Sequence, residues 1–414
     1  VGDRSPGNRL GVTLTLVVTT AAQAGPAAEL RMAFLNWINQ PVADRPAIGE
    51  QTFAKAALTE RQAIKIHEYL WTDHVANTRQ ERATEMAKKA ITIGEHTLRF
   101  ESKTFGAKPG GGHSLYISMH GGGNTRAKVN DQQWKNQISL YKPQEGIYLA
   151  PRAPSDTWNL WHRSHIDPLF DRLIENLVLL DDVDPNKVYF MGYSAGGDGV
   201  YQLAPRMADR LAAAAMMAGH PNETTPDGLR NIGFTLHMGA EDGAYKRNQI
   251  AAEWKTRLNE LHQEDPGGYV HEVKIHKGKG HWMEREDAVA VPWMAKFTRD
   301  PHPNKVVWLQ DDVTHTRFYW LSLAQGDVKK GQRIVASIKG QTITIEEARD
   351  CPRLTLLLTD ALVDIDQEVK VTYKGKTLFQ GKVRRTIADL ATRLSERLDP
   401  KQLYWAGLPV DLGA

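Results

Sequence analysis

The residue of this chain best suited to chemistry is Ser194, which lies in the stretch GYSAG at positions 192–196. An apolar run, Val188–Met191, precedes this stretch, and a small-residue segment follows it. The Gly-x-Ser-x-Gly spacing is typical of a sharp strand-to-helix turn that exposes a serine hydroxyl as a nucleophile. The following helix would bring free N–H groups and the positive end of its dipole to the serine. Ordinary glycine-rich turns share the pattern, so partner residues must be found elsewhere.

A serine nucleophile needs a histidine base and a carboxylate that orients the base. Where the serine lies at a strand-to-helix turn of this type, the acid and then the histidine follow it along the chain. Asp242 and then His281 each follow an apolar, strand-like run. Glu241 is the alternative acid, less favoured because a side chain one position away points elsewhere. His271 and His276 lie on the preceding strand or at its end, which favours structural roles.

The developing oxyanion also needs N–H donors, and a glycine-rich loop is suited to supply them. The sequence HGGG at 120–123 directly follows a predicted strand, Ser114–Met119. We expect the N–H of Ala195 to be one donor and that of Gly121 or Gly122 to be another, and the sequence does not separate the two glycines. A flexible connector is the alternative interpretation of the three glycines.

Substrate contacts are predicted mainly in the aromatic loop 154–165, on the same rim of the sheet. Trp158 and Trp161 are candidates to line a pocket for an aromatic or extended acyl or alcohol group. His162 and Tyr193 are further candidates for substrate binding. Packing at the rim is the alternative role for these side chains.

Composition argues against several other classes of protein. The 414 residues carry a formal net charge of +3, so we expect no strong attraction to nucleic acid or to an anionic membrane. Cys351 is the only cysteine, and we expect it to be a buried apolar side chain. His162 and His165 lack a third ligand in a recognisable metal motif, and we identify no phosphate or dinucleotide loop. No metal and no cofactor are expected.

The arrangement of elements predicts an α/β fold. Strands and helices alternate over residues 91–300, which indicates a mostly parallel sheet with helices on both faces. Residues 26–90 are helical by pattern and form either a preceding domain or a lid. After the stiff linker Asp300–Asn304, residues 303–414 predict a small, mainly β domain with one helix at Ile387–Leu398.

The first residues have the features of a secretory signal peptide. Arg4 and Arg9 precede a moderately apolar run, Leu10–Val18, and small residues follow at Ala22–Gly25. We therefore expect residues 1–25 to direct export to the periplasm or the exterior, with a cytoplasmic location if this leader is not a signal. No other apolar run approaches the ~18 residues of a membrane span.

Together these motifs resemble the α/β-hydrolase superfamily over residues 91–300. The HGGG and GYSAGG sequences are similar to those of bacterial esterases of the feruloyl-esterase and polyhydroxybutyrate-depolymerase-like groups, and of hormone-sensitive-lipase-like esterases. The resemblance implies a serine esterase with a triad of Ser194, Asp242 and His281, acting on a feruloyl, acetyl or polyester-type ester. The added β domain and the long N-terminal helical stretch depart from these groups. The single cysteine also excludes the disulfides common in secreted depolymerases.

Two other functions stay open at this point. A peptidase of the prolyl-oligopeptidase type uses the same fold and order of catalytic residues, although no propeller repeat is evident in the sequence. The C-terminal region could instead attach the chain to a polysaccharide or polyester through Trp308, Trp320 and Trp405, for which core packing is the favoured role. The acyl and alcohol specificity and the oligomeric state do not follow from the sequence.

Overall fold

A computed structural model describes residues 25–413 of the chain. Of these described residues, those up to Pro46 form one compact unit, and those from Ala47 onward form a second. The first unit contains helix α1, Pro26–Ile38. The predicted signal peptide, residues 1–25, lies outside the described residues except for Gly25, and it stays a prediction.

The second unit alternates strands and helices as far as about residue 294. Its helices are α2 Glu60–Lys88, α3 Ala127–Gln137, α4 Ile166–Leu180, α5 Ala195–Arg206, α6 Arg247–Glu264, α7 Ala290–Met294 and, later, α8 Ile387–Glu396. Its first strands are β1 Ala90–Ile93, β2 His96–Phe105, β3 His113–Met119, β4 Gly146–Arg152, β5 Val183–Tyr193, β6 Ala213–Met217, β7 Gly233–Gly239 and β8 His271–His276.

These eight strands form one sheet in the order β1-β2-β4-β3-β5-β6-β7-β8. Strand β2 pairs antiparallel with both β1 and β4. The other six strands, which follow one another in the order β4-β3-β5-β6-β7-β8, pair in parallel. Every position of β4, β6 and β7 is buried, so both faces of the sheet are covered. This strand order, with a sharp turn from β5 into α5, is that of the α/β-hydrolase fold, and the predicted fold class is confirmed.

The long helix α2 begins with a capping box. The Thr59 side chain accepts a hydrogen bond from the Gln62 N–H, and the Gln62 side chain accepts one from the Thr59 N–H. The helix packs on α4, where Arg82 Nη2 lies 3.0 Å from Glu175 Oε1. Among the described residues that line the cavities at Ser194, none belongs to α2, so this helix does not cover the serine.

The C-terminal region contains two small sheets. Its strands are β9 Lys305–Leu309, β10 Arg317–Phe318, β11 Leu321–Ser322, β12 Arg333–Lys339, β13 Thr342–Arg349, β14 Arg353–Leu358, β15 Glu368–Tyr373, β16 Lys376–Lys382 and β17 Ala406–Asp411. One sheet has the order β10-β11-β14-β17, and the other has the order β16-β15-β13-β12-β9. The region is mainly β with helix α8, as the sequence predicts.

Buried ion pairs join this region to the hydrolase part within the same compact unit. The fully buried Asp399 lies 2.7 Å from Arg299 and 3.4 Å from Arg210. The Tyr319 hydroxyl donates to the Ala208 carbonyl at 3.0 Å. Removing one partner of such a buried pair typically costs about 3–5 kcal/mol, so the two parts depend on each other for stability.

Two features of the C-terminal region differ from the sequence-based expectation. Residues 317–323 have the apolar character of a single strand in the sequence, but the structure forms a tight hairpin there, whose turn contains Tyr319 with φ of 49°. Large apolar residues at that turn gave no turn signal. Strand β17 was not predicted, because Pro409 lowers its strand signal, and the strand lies at a sheet edge, where proline is tolerated.

The tryptophans proposed as polymer contacts are core residues. Trp308, Trp320 and Trp405 are 2%, 0% and 7% exposed. The indole N–H of Trp320 donates to the Pro303 carbonyl, and that of Trp405 donates to an Asp360 carboxylate oxygen.

Cys351 is buried, as the sequence predicts. Among the described residues, no helix has the length and apolar character needed to cross a membrane.

Candidate active site

Ser194 occupies the sharp turn between β5 and α5. Its backbone has φ of 58° and ψ of −121°, a sparsely populated conformation that costs on the order of 1–3 kcal/mol. The Ser194 N–H donates to the Met217 carbonyl at 2.9 Å, which ties the turn to β6. A Cβ atom at Gly196 would lie 2.1 Å from the Met119 carbonyl oxygen. The turn therefore closes only because glycine occupies that position.

His281 and Asp242 form a hydrogen-bonded series with the serine. His281 Nε2 lies 2.9 Å from Ser194 Oγ, and His281 Nδ1 lies 2.7 Å from Asp242 Oδ2. Because a carboxylate can only accept, Nδ1 carries the proton in this assignment and Nε2 is free to accept from the serine hydroxyl. The His281 side chain is 44% exposed, whereas Asp242 is buried. The arrangement is suited to moving a proton from Ser194 to His281.

The loop after β7 presents Asp242 rather than Glu241. Asp242 Oδ1 lies 3.5 Å from Arg247 Nη1, and its backbone carbonyl accepts from the Asn248 N–H at 3.1 Å. Both carboxylate oxygens of Asp242 thus have a cationic or imidazole neighbour. Glu241 is exposed, so the structure brings Asp242 alone to His281.

Tyr193 fixes the loop that carries His281. Its hydroxyl donates to the His281 carbonyl at 2.7 Å and accepts from the Met283 N–H at 2.9 Å. Burial raises the pKa of Tyr193 well above its usual value, so the hydroxyl stays protonated. Its ring lies on the larger cavity described below, but its hydroxyl is committed to the loop. We therefore interpret Tyr193 as a positioning residue, a role that its sequence position did not indicate.

Three backbone N–H groups next to the serine lack an acceptor. Within residues 25–413, the N–H groups of Gly121, Gly122 and Ala195 make no hydrogen bond to the protein. Gly121 is so close that an added Cβ would lie 3.1 Å from Ser194 Cβ. Gly122 has φ of 107°, a conformation that favours glycine. Unpaired N–H donors beside a serine hydroxyl are suited to form an oxyanion hole.

The side chain of His120 holds the glycine loop in place. Burial lowers the pKa of His120 to about 4, so the ring is neutral at pH 7. The Ala153 N–H donates to Nε2 at 3.2 Å, so Nδ1 carries the proton and donates to the Gly121 carbonyl at 2.6 Å. Because the peptide is planar and trans, the Gly122 N–H points away from this buried ring. The Trp161 indole N–H donates to the His120 carbonyl at 2.8 Å.

Two of the predicted substrate contacts are corrected by the structure. Trp161 is fully buried against Phe170, and His162 is only 6% exposed. Neither residue lines a cavity at Ser194, since their loop turns them into the core. Trp158, three residues earlier, is 57% exposed and does line the smaller cavity.

Two cavities meet at Ser194. The larger, of about 760 Å³, also contains His281, Gly121, Gly122 and Tyr193. The smaller, of about 370 Å³, shares Ser194 and Gly122 with the larger and contains polar and aromatic side chains, namely Trp158, Asp198, His220, Asn222, Tyr245 and Arg247. Two cavities that share a candidate nucleophile can provide separate places for the two halves of a substrate.

Asp198 in the smaller cavity was not identified from the sequence. Its Oδ1 accepts from the His220 N–H at 2.6 Å, and burial raises the pKa of Asp198 to about 6. Tyr245 and Trp158 are strongly exposed at the same cavity. Nothing in the spacing of these residues brings them together before the fold is known.

Elsewhere, one group of acids has the spacing of a cation site. Oxygens of Glu223, Asp311 and Asp312 lie within 4.8 Å of one another. Thr224 Oγ1 donates to Asp311 Oδ2 at 2.8 Å. These acids are wholly or partly exposed and line neither cavity at Ser194, so they are separate from the candidate catalytic residues.

Comparison with known proteins gives distant structural likeness only. No protein-family model and no curated protein matches the chain. A thermostable esterase aligns over 51% of this chain and 62% of its own, with 15% identity and a TM-score of 0.37. The esterase PE8 aligns over 48% and 98%, with 19% identity and a TM-score of 0.34. A poly(3-hydroxybutyrate) depolymerase from Bordetella parapertussis aligns over 50% and 86%, with 15% identity and a TM-score of 0.38.

Proposed function

We propose that this chain is a serine carboxylic-ester hydrolase that works through an acyl-enzyme. The observation that carries the proposal is the series from Ser194 through His281 to Asp242, with separations of 2.9 and 2.7 Å. The unpaired N–H groups beside the serine and the two flanking cavities support it. Each feature has a defined role in acyl transfer.

In the first half of the reaction, Ser194 Oγ attacks the ester carbonyl carbon while its proton passes to His281 Nε2. Asp242 stabilises the resulting imidazolium. The carbonyl oxygen becomes an oxyanion and accepts hydrogen bonds from Ala195 and from the Gly121 and Gly122 pair. Loss of one such donor typically lowers the rate on the order of 10²–10³-fold. His281 then returns the proton to the alkoxide oxygen as the C–O bond breaks and the alcohol leaves.

In the second half, a water molecule replaces the alcohol. His281 Nε2 accepts a proton from this water as its oxygen attacks the acyl carbon. The second tetrahedral intermediate uses the same N–H donors. The bond from carbon to Ser194 Oγ breaks, Oγ regains the proton from His281, and the carboxylic acid leaves.

The direct kinetic test is Ser194→Ala assayed with p-nitrophenyl acetate. Removal of the nucleophile of a serine triad typically lowers kcat by roughly 10⁶-fold. A matched control is Ser395→Ala, because Ser395 is exposed on helix α8 and its hydroxyl only contacts the Thr392 carbonyl. Wild-type turnover in Ser194→Ala would refute the proposal.

The substrate belongs to the same proposal and needs its own panel. We propose an ester of the feruloyl, acetyl or polyester type, tested as esters that differ only in the acyl group. A p-nitroanilide with the same acyl group tests peptidase activity, since it replaces the ester oxygen by an amide nitrogen. Faster cleavage of the anilide than of the ester would favour the peptidase function instead.

A further inference from the structure

The charged side chains of the larger cavity suggest which substrates it accepts. Apart from His281, these side chains are the cations of Lys135 and Arg285. Both are exposed, and neither has a carboxylate within ion-pair distance in the described part of the chain. Two unpaired cations beside a nucleophile create a positive potential where the substrate binds.

Several acids close in sequence to these cations are paired with other side chains. Glu284 lies 2.6 Å and Glu286 3.1 Å from Lys279, so neither neutralises Arg285. On helix α3, Asp131 is paired with Arg152 at 2.8 Å rather than with Lys135. The buried Asp287 interacts electrostatically with Arg285, but it accepts a hydrogen bond from the Tyr141 hydroxyl and does not line the cavity. Since no carboxylate is in ion-pair contact with Lys135 or Arg285 among the described residues, their charge can act on a ligand.

The backbone holds Arg285 at the rim in an unusual conformation. Glu284 and Arg285 have φ of 54° and 69°, both in the left-handed region. Non-glycine residues held there cost on the order of 1–3 kcal/mol each, and such strain often occurs at functional sites. The same loop carries His281 and the half-exposed ring of Trp282.

The rest of the cavity lining combines polar side chains with Leu140 and aromatic rings. Gln133, Asn136 and Ser139 offer amide and hydroxyl groups, and Trp282 offers a flat ring. A cavity for a long alkyl chain would instead be lined mostly by aliphatic side chains. In the smaller cavity, the cation of Arg247 already has Asp242 as a partner.

We propose that the larger cavity binds a carboxylate on one half of the ester, with Lys135 and Arg285 as specificity-determining residues. This inference rests on the proposed ester hydrolysis. The guanidinium of Arg285 matches the two oxygens of a carboxylate, and Lys135 adds a point charge. The carboxylate keeps its charge throughout and takes no part in the proton transfers.

The test compares pairs of esters matched in size. For the acyl half, p-nitrophenyl hemiglutarate, which is anionic, is compared with neutral p-nitrophenyl valerate. For the alcohol half, 4-acetoxybenzoate is compared with its methyl ester. We expect the wild-type protein to favour the anionic ester in at least one pair, measured as the ratio of the two kcat/KM values at low salt. High salt near 1 M should remove most of the preference, because it shortens the Debye length to about 3 Å.

The decisive variant is the double substitution Lys135→Gln with Arg285→Gln. Exposed ion pairs are weak, so we expect each loss to lower the preference about threefold and both together about tenfold. Lys128→Gln is the matched control, since Lys128 is also exposed on helix α3 but lies outside the cavity. Lys135→Arg with Arg285→Lys keeps both charges but removes the guanidinium from position 285, so it should retain part of the preference and exceed the double glutamine variant.

The outcomes separate this inference from the proposed function. An equal ratio in the wild type and the double glutamine variant, with neutral esters still hydrolysed, would overturn the inference and leave ester hydrolysis intact. Failure of the wild type to hydrolyse any of the four esters would count against both.

Discussion

The role assigned to Tyr193 can be tested by Tyr193→Phe, which removes one oxygen atom and keeps the ring. That oxygen donates to the His281 carbonyl at 2.7 Å and accepts from the Met283 N–H at 2.9 Å. Both contacts hold the backbone of the loop that carries His281. The substitution should therefore make the position of His281, the proposed base, less fixed without changing Ser194 or Asp242.

The magnitude follows from the two bonds that are lost. Each contributes about 1 kcal/mol, so the free energy of unfolding should fall by about 2 kcal/mol. A displacement of a catalytic group by about 1 Å can cost on the order of 10²-fold in rate. Because only partial loosening is expected, kcat should fall about 10- to 100-fold. KM should change by less than about threefold, since the cavities keep their shape.

The assay measures kcat and KM with p-nitrophenyl acetate and the free energy of unfolding with urea. Tyr269→Phe is the matched control, because the Tyr269 hydroxyl makes one comparable bond, 3.0 Å from the Asp227 carbonyl, outside both cavities at Ser194. It should lose about 1 kcal/mol of stability and keep kcat. A Tyr193→Phe variant that loses stability but keeps kcat would refute the positioning role.

Three further predictions concern the acid, the turn and the glycine loop. Asp242→Asn should lower kcat about 10⁴-fold, whereas Glu241→Gln should leave it within about twofold; the reverse order would reassign the acid. Gly196→Ala places a Cβ 2.1 Å from the Met119 carbonyl oxygen, so we expect a lower Tm or insoluble protein, and an unchanged Tm would contradict the close approach. Burial lowers the pKa of His120 from 6.5 to about 4, so the unfolded chain binds more protons between these values. The free energy of unfolding should then rise with pH from about 4 to 6.5, and His120 should contribute at most about 3 kcal/mol of this rise. Urea titrations should show a shallower rise in His120→Gln than in the wild type, and an equal slope would exclude this contribution.

The candidate triad could be predicted because its signals are local. Ser194, Asp242 and His281 each follow a strand-like run, and parallel strands bring their carboxyl ends to one edge of the sheet. Chain order then sufficed to place them together. The capping box at Thr59 is a local signal of the same kind, because Thr59 and Gln62 are only three positions apart in the sequence.

The positions of Trp158 and Trp161 could not be predicted. Both are large aromatic residues in one loop, and the path of the loop alone decides which of them faces the cavity. Trp161 turns inward because its N–H finds the His120 carbonyl, which is distant in sequence. Every residue has a backbone carbonyl, so no pattern of residue types in the sequence could identify this acceptor.

The contributions of Tyr193 and Arg285 depend in the same way on long-range geometry. The partner of the Tyr193 hydroxyl is a backbone carbonyl on another strand-end loop. Arg285 is significant because the acids beside it in sequence are paired with Lys279, which only the folded loop shows. Local patterns indicate the candidate reacting groups, whereas the fold is needed to find the residues proposed to position them and to select the substrate.

The most direct test of the central claim is covalent labelling of the nucleophile. The protein is treated with a fluorophosphonate, which reacts with activated serine hydroxyls, and the labelled peptide is identified by mass spectrometry. We predict a single label on Ser194, strongly reduced in His281→Ala and absent in Ser194→Ala. Labelling at another residue, or undiminished labelling of Ser194→Ala, would contradict the account.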